Sequence, residues 1–462
     1  MHVVKQWIAN CPSRPRAVLA VCAILLAVQI DPWWYSSIDS ASYLSMARSL
    51  ARGTGPTNFG SPLLWYSPGY PALISPFFLF DNRPFLGIAM FQWLLAVGLL
   101  LGVYYWARQV SPDAAIWVAG LTVVNHGFWI HFRRPLSEIA FMCALIWVVN
   151  ILRSLAGARL EDGLPRPSKD ERDGPGRPSS DLHSLFGGRL AAGAALTALL
   201  CIIRPVGTMI VPAFVVWAWL EARAGKLSWL KAAVASAVIA IAAGTPVALF
   251  VAHERRVAAE LGGRSYADEF HDAARSPLES YSRGVQLCVS DMGRVCLPGL
   301  FKSHGTPGDW TDVNMLVHVP FCALVVYGWF RWRRRGNDLF AWYMPFYLLL
   351  IAAHAMDTGA RLLLPLLPAL FVCVWIGLDR LGPRQPTLAA ACLALQAAVG
   401  GAYWLAVDLP RARYNAAQWP SVEAMAAEIL NGRRGISDAD VRDDRRLMLE
   451  LVLDRPLIGF KR

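Results

Sequence analysis

Apolar residues in this chain gather into long runs divided by short polar stretches, rather than recurring at amphipathic helical intervals. The runs fall at about 17–30, 86–107, 114–131, 137–152, 190–203, 205–220, 230–251, 314–330, 339–355, 361–378 and 386–407. A helix rises about 1.5 Å per residue, so most of them approach the roughly 30 Å of a bilayer's hydrocarbon core. The pattern predicts an all-α polytopic membrane protein with about eleven transmembrane helices. The first run is short and follows Lys5, Arg14 and Arg16, as in a signal peptide. No small-x-small cleavage site follows, and Pro32-Trp33-Trp34 reads as an interfacial anchor, so an uncleaved first helix is expected.

Composition agrees with this class. Of 462 residues, 55% are hydrophobic and 17% charged, below the roughly 25% charged of soluble domains. The net charge of +11 would suggest nucleic acid in a soluble chain, but here the basic residues flank apolar runs. Placing Arg331–Arg335, Arg223, Lys226, Lys231, Arg380, Arg384 and the basic residues of 153–189 inside satisfies the positive-inside rule. That holds only if Arg204-Pro205 divides two spans, with the N-terminus in the cytoplasm and the C-terminus outside. The expected setting is the cytoplasmic membrane, multi-pass, with no nucleic-acid partner.

The polar stretches differ in kind. Residues 31–85 form a first outer loop with a surface helix over about 41–52 that Gly53 stops. Residues 156–188 are Pro/Gly/Ser-rich with mixed charge and are expected to be a disordered cytoplasmic linker. Residues 252–313 form another outer loop. Residues 408–462 form a small outer segment with a helix at Val422–Leu430 and a strand-like Leu447–Val452, appended to a membrane domain of 1–407. Of nine cysteines, only Cys288 and Cys296 fall in an outer loop, where an oxidising compartment would make them a disulfide. Two reduced thiols in a packed loop are the alternative.

Ionisable groups at membrane depth are costly, and in this topology the outer face holds few: Asp31, Asp39, Asp81, His126, His131, Arg133, Arg134, Glu138, Arg204, His253, Glu254, His354, Asp357 and Arg361. Asp39 is either a catalytic carboxylate or the N-cap of the 41–52 helix. Glu138 is either its partner or an ion pair for Arg133 or Arg134. The two carboxylates could share a divalent cation or divide base and positioning roles. Arg204 and Arg361, embedded between apolar runs, suit bidentate phosphate binding or interfacial snorkelling. His126 and His131 are five apart, off the helical metal-pair spacing, and no HExxH, Walker loop, dinucleotide fingerprint or Gly-x-Ser-x-Gly elbow occurs.

Asp39, Tyr43, Ala47 and Gly53, followed by Tyr66-Ser67-Pro68-Gly69-Tyr70-Pro71, resemble the first outer loop of polytopic glycosyltransferases with the C-type fold. The branch is that of protein O-mannosyltransferases and lipid A aminoarabinose transferases. Arg361, Pro365 and Pro368 match its late Arg-x-x-x-Pro-x-x-Pro pattern, and Ser137-Glu138 its Ser-Glu after the second outer loop. One departure is Ser40, where many relatives have Glu after the catalytic Asp. The resemblance implies a hexosyl or pentosyl transfer, with inversion, from a polyprenyl-phosphate sugar to a hydroxyl of a lipid, protein or glycan outside the membrane. Asp39 would then be the base, with Glu138 beside it. Arg361 and Arg204 would hold the donor phosphate, and Tyr43, Tyr66, Tyr70, His354 and Asp357 would surround the substrate cavity. A transporter or flippase of a lipid-linked sugar is the alternative function, and an inactive scaffold a third.

Overall fold

The computed structural model describes residues 15–62, 66–156, 179–261, 277–296, 315–354, 359–431 and 443–453. Among them the chain is a bundle of helices with no strand. Helix α1 (Pro15–Ala27) leads into α2 (Ile38–Ala51), the short α3 (Gly69–Ile74), α4 (Phe85–Val110), α5 (Ala115–Val124), α6 (His126–Arg133) and α7 (Ser137–Arg153). Then follow α8 (Ser179–Ile203), α9 (Ile210–Arg223), α10 (Trp229–Leu261), α11 (Pro277–Cys296), α12 (Met315–Arg335) and α13 (Leu339–His354). A 3-10 segment at Gly359–Leu366 precedes α14 (Leu367–Gly377), α15 (Arg384–Tyr403), α16 (Leu409–Leu430) and α17 (Asp443–Leu453).

Among the described residues, six stretches are long and apolar enough to cross a membrane: Phe85–Val110, Ser137–Ala156, Phe186–Ile203, Pro205–Arg223, Trp229–Leu261 and Arg384–Leu430. Five shorter apolar helical stretches accompany them, including Pro15–Ala27, Leu339–Ala353 and Arg361–Gly377. The chain is thus a multi-pass, all-α membrane protein.

Local chemistry sets the breaks. Helix α2 begins at Ser37, whose hydroxyl and that of Ser40 form a reciprocal capping box. It ends at Arg52, and Gly53 adopts φ +73°, the left-handed conformation glycine supplies without strain. Arg204 is extended (φ −149°, ψ 123°), as a residue before proline prefers, so α8 and the turn into α9 are separate elements. The sequence expectation of a divided pair holds here.

Elsewhere the structure corrects the sequence reading. The expected span 114–131 is two helices, because the Asn125 side chain accepts from Phe128 N and caps α6 while donating to the Val295 carbonyl. Helix α6 has eight residues and is too short to cross a bilayer. The loop at 252–313 carries helix at both ends of what is described, in the tail of α10 and in α11. Leu447–Val452 is helical, within α17, and not a strand. Helix α8 begins at Ser179, inside the expected disordered linker, whose residues 157–178 lie outside the described set. No break separates 407 from 408: a π turn at Trp404–Asp408 joins α15 to α16. Trp34 is buried rather than interfacial, stacked on Phe85 and edge-on to Trp419, which ties the first loop to α16.

Candidate active site

Three chain breaks bring the chemistry together. Asp39 stands in the first turn of α2, and the capping work is done by Ser37 and Ser40, so its carboxylate is available. The Ser40 hydroxyl is fully buried and accepts from the Trp34 indole at 3.1 Å. This hydroxyl is used to hold the loop.

Asp39 Oδ1 accepts from the Tyr66 hydroxyl at 2.5 Å, and Oδ2 accepts from Arg361 Nη1. Arg361 Nε also lies 3.0 Å from Oε1 of Glu138, which is fully buried in the first turn of α7. Arg204 Nη1 lies 3.3 Å from the same oxygen, with its guanidinium over the Phe141 ring. These two contacts at Glu138 are ionic and not aligned as hydrogen bonds. The result is a chain, Asp39–Arg361–Glu138–Arg204, in which one guanidinium bridges two carboxylates. Glu138 pairs with Arg204 and Arg361, not with its sequence neighbours. Arg133 is instead ion-paired with Asp408 on the π turn.

A cavity of about 470 Å³ opens beside the bridge, lined by Asp39, Arg361, His126, His131, Arg134 and Arg294 among others. Arg204 does not line it; it sits behind Glu138. Tyr43 and Tyr70, expected in the cavity, are buried behind the carboxylates. The Tyr43 hydroxyl is 3.0 Å from Ser137 Oγ, and Tyr70 accepts from Gln92 at 3.2 Å. Burial, with the Glu138 charge, pushes the Tyr43 phenol up to about 12, so it stays protonated. Tyr66 touches Asp39 without lining the cavity. The His354 side chain and Asp357 lie outside the described residues.

The sequence reading missed Arg294. It lies on α11, three residues from its ion-pair partner Asp291, and the helical periodicity of 277–296 was the available signal. The same helix overturns the expected disulfide. Cys288 and Cys296 are free and buried. Eight residues along a helix separate them by about 12 Å, roughly twice the Cα spacing a disulfide tolerates.

A divalent cation fits the acid pair poorly. Asp39 and Glu138 already share a cation, the Arg361 guanidinium, and no cluster of three His, Cys, Asp or Glu occurs among the described residues.

A second, apolar cavity of about 110 Å³ is lined by Trp117, Leu121, Phe321, Phe371 and Trp375 among others. Gln396, in its lining, donates to the Cys296 carbonyl at 2.6 Å and accepts at 3.3 Å from the backbone N–H of His126, which lines the first cavity.

No family model and no curated protein matches the sequence. Solved structures do match. The archaeal oligosaccharyltransferase AglB from Archaeoglobus fulgidus, in complex with an inhibitory peptide and a dolichol-phosphate, is 13% identical with a TM-score of 0.53; the match covers 96% of this chain and 64% of that one. The apo form gives 0.51 over the same shares. ArnT from Cupriavidus metallidurans, bound to undecaprenyl phosphate, is 12% identical with a TM-score of 0.49, covering 95% of this chain and 74% of that one. The chain spans less than two thirds of the oligosaccharyltransferase's length. It has the C-type fold of integral-membrane glycosyltransferases.

Proposed function

We propose that this protein transfers a sugar from a polyprenyl-phosphate donor to an acceptor hydroxyl, at the extracytoplasmic face of the cytoplasmic membrane. The observation that carries the reading is Arg361 bridging Asp39 and Glu138 at the edge of a cavity large enough for a sugar and its phosphate. The fold supports the reaction class, and the distribution of basic residues supports the sidedness.

In the reaction, the acceptor oxygen forms a bond to the anomeric carbon as the bond from that carbon to the phosphate oxygen breaks. The electron pair leaves with the polyprenyl phosphate, and the hydroxyl proton passes to Asp39, inverting the configuration. Asp39 must exchange its Arg361 contact for the acceptor, which frees that guanidinium to meet the charge developing on the phosphate. Glu138 holds Arg361 in place from behind. The polyprenyl chain would lie along the apolar cavity lined by Trp117, Phe321 and Trp375.

The test is to incubate the full chain in nanodiscs with a panel of radiolabelled polyprenyl-phosphate hexoses and pentoses and a membrane extract as acceptor source. Labelled product of inverted anomeric configuration, with release of polyprenyl phosphate, is expected for one donor. Consumption of no donor, or a product of retained configuration, would sink the reading.

A further inference from the structure

The residues expected to hold the donor phosphate are already neutralised inside the protein. Two carboxylates against two guanidinia leave the Asp39–Arg361–Glu138–Arg204 chain with no net charge. An anion entering the cavity therefore gains little from that cluster taken alone. A phosphodiester carries one negative charge, and the departing polyprenyl phosphate acquires a second. The cavity has to supply positive charge from elsewhere.

Its other basic groups are not equivalent. Burial lowers the proton affinity of His126 and His131, with the Arg133 charge adding to the effect at His126, while Glu138 partly opposes it at His131. The His131 Nδ1 lies 2.8 Å from the Gly127 carbonyl, which only accepts, so this nitrogen carries a proton and the neutral ring turns its other nitrogen outward. Arg294 already pairs with Asp291 at 3.3 Å. Arg134 is different. It is half-buried, lines the cavity, and its guanidinium has no carboxylate within ion-pair distance among the described residues. Asp408, whose charge it feels most, is committed to Arg133.

The backbone of Arg134 is anchored. It is extended (φ −95°, ψ 141°), as its position before Pro135 favours, and its carbonyl accepts from Gln92 Nε2 at 2.6 Å and from Leu136 N at 2.7 Å. A half-buried cation with no counter-ion among the described residues is costly unless an anion completes it. Burial also lowers its own proton affinity, the electrostatic mark of that cost.

We propose that Arg134 is the principal phosphate ligand of the donor, in a cavity that Arg294 also lines, and that Arg204 serves only to hold Glu138. This rests on the polyprenyl-phosphate reading above and deepens it. Arg134 contacts the phosphate in the ground state and gains as the second charge develops, so it acts on both donor affinity and turnover.

Binding of undecaprenyl phosphate to the purified full chain in mixed micelles tests the assignment, with uncharged undecaprenol as the control lipid. Thermal unfolding of each variant without lipid establishes that it is folded. Arg134→Gln should weaken undecaprenyl phosphate binding about 10- to 100-fold, with undecaprenol binding unchanged. Arg134→Lys, which keeps the charge, should restore most of the affinity. Unchanged binding by folded Arg134→Gln, or a larger loss in folded Arg204→Gln, would overturn the assignment while leaving the donor class intact. A wild-type chain that binds undecaprenyl phosphate no better than undecaprenol would overturn the donor class and the assignment together.

Discussion

Arg361 reaches Asp39 across 322 positions of the chain, and the ion pair they make joins helix α2 of the first loop to the segment before α14. Its consequence is that Asp39 has no structural duty in its own helix. The capping box of Ser37 and Ser40 forms without it. Asp39→Asn should therefore keep α2 and the fold, with a thermal midpoint within a few degrees of wild type, while transfer falls about 10²- to 10⁴-fold, as for removal of a general base. Both quantities come from one preparation. Transfer that survives in the folded variant would move the base to another group.

Glu138 is fully buried between two guanidinia, so removing its charge strands Arg204 and leaves Arg361 with Asp39 alone. Glu138→Gln should destabilise the protein by about 3–5 kcal/mol, read as the shift in thermal unfolding in detergent. Adding Arg204→Gln to that variant should recover part of the loss, because the stranded cation is gone. Strict additivity of the two substitutions would mean that the 3.3 Å contact carries no coupling.

How much of this site was readable in the sequence depended on how crowded each residue type is. Asp39, Glu138 and Arg361 stood out because carboxylates and arginines between apolar runs are few. Arg133-Arg134 was opaque: adjacent residues of the same type go to opposite fates, one to Asp408 and one to the cavity, and only the fold separates them. The break at Asn125 was hidden because apolar and aromatic residues run on both sides of Asn125-His126-Gly127, and one capping hydrogen bond overrides them. Leu447–Val452 was too short a run for strand and helix to be told apart. Packing decided it, with α17 lying across α2 and the Leu451 carbonyl accepting from Arg48.

His126 and His131 give the protein a specific pH response. Both are held below the usual histidine value, chiefly by burial. Between that depressed value and the ordinary value near 6.5, the unfolded chain binds more protons than the folded one, so stability rises with pH through this window. Lowering the pH from 8 into the range below about 6.5 should lower the thermal midpoint. His131→Gln should flatten the slope. A midpoint that climbs on acidification through the same range would contradict the burial of both rings.

Gly69 links the first loop to the break that carries Arg204. A Cβ at this position would lie 2.4 Å from the Ile202 carbonyl carbon and oxygen, both backbone atoms that have no flexible end to yield. The Ser67 hydroxyl donates to that same carbonyl, so the loop and the end of α8 are fastened by one contact pair. Gly69→Ala must push the two backbones apart, at about 1–3 kcal/mol as for other overpacking. It must also move Arg204 relative to Glu138. The expected result is a lowered thermal midpoint together with reduced transfer, although Gly69 touches no substrate. Ser67→Ala removes the hydrogen bond and leaves the spacing, so it should cost less on both counts. If Gly69→Ala proved as stable and active as wild type, the close approach of these backbones would not be what positions Arg204.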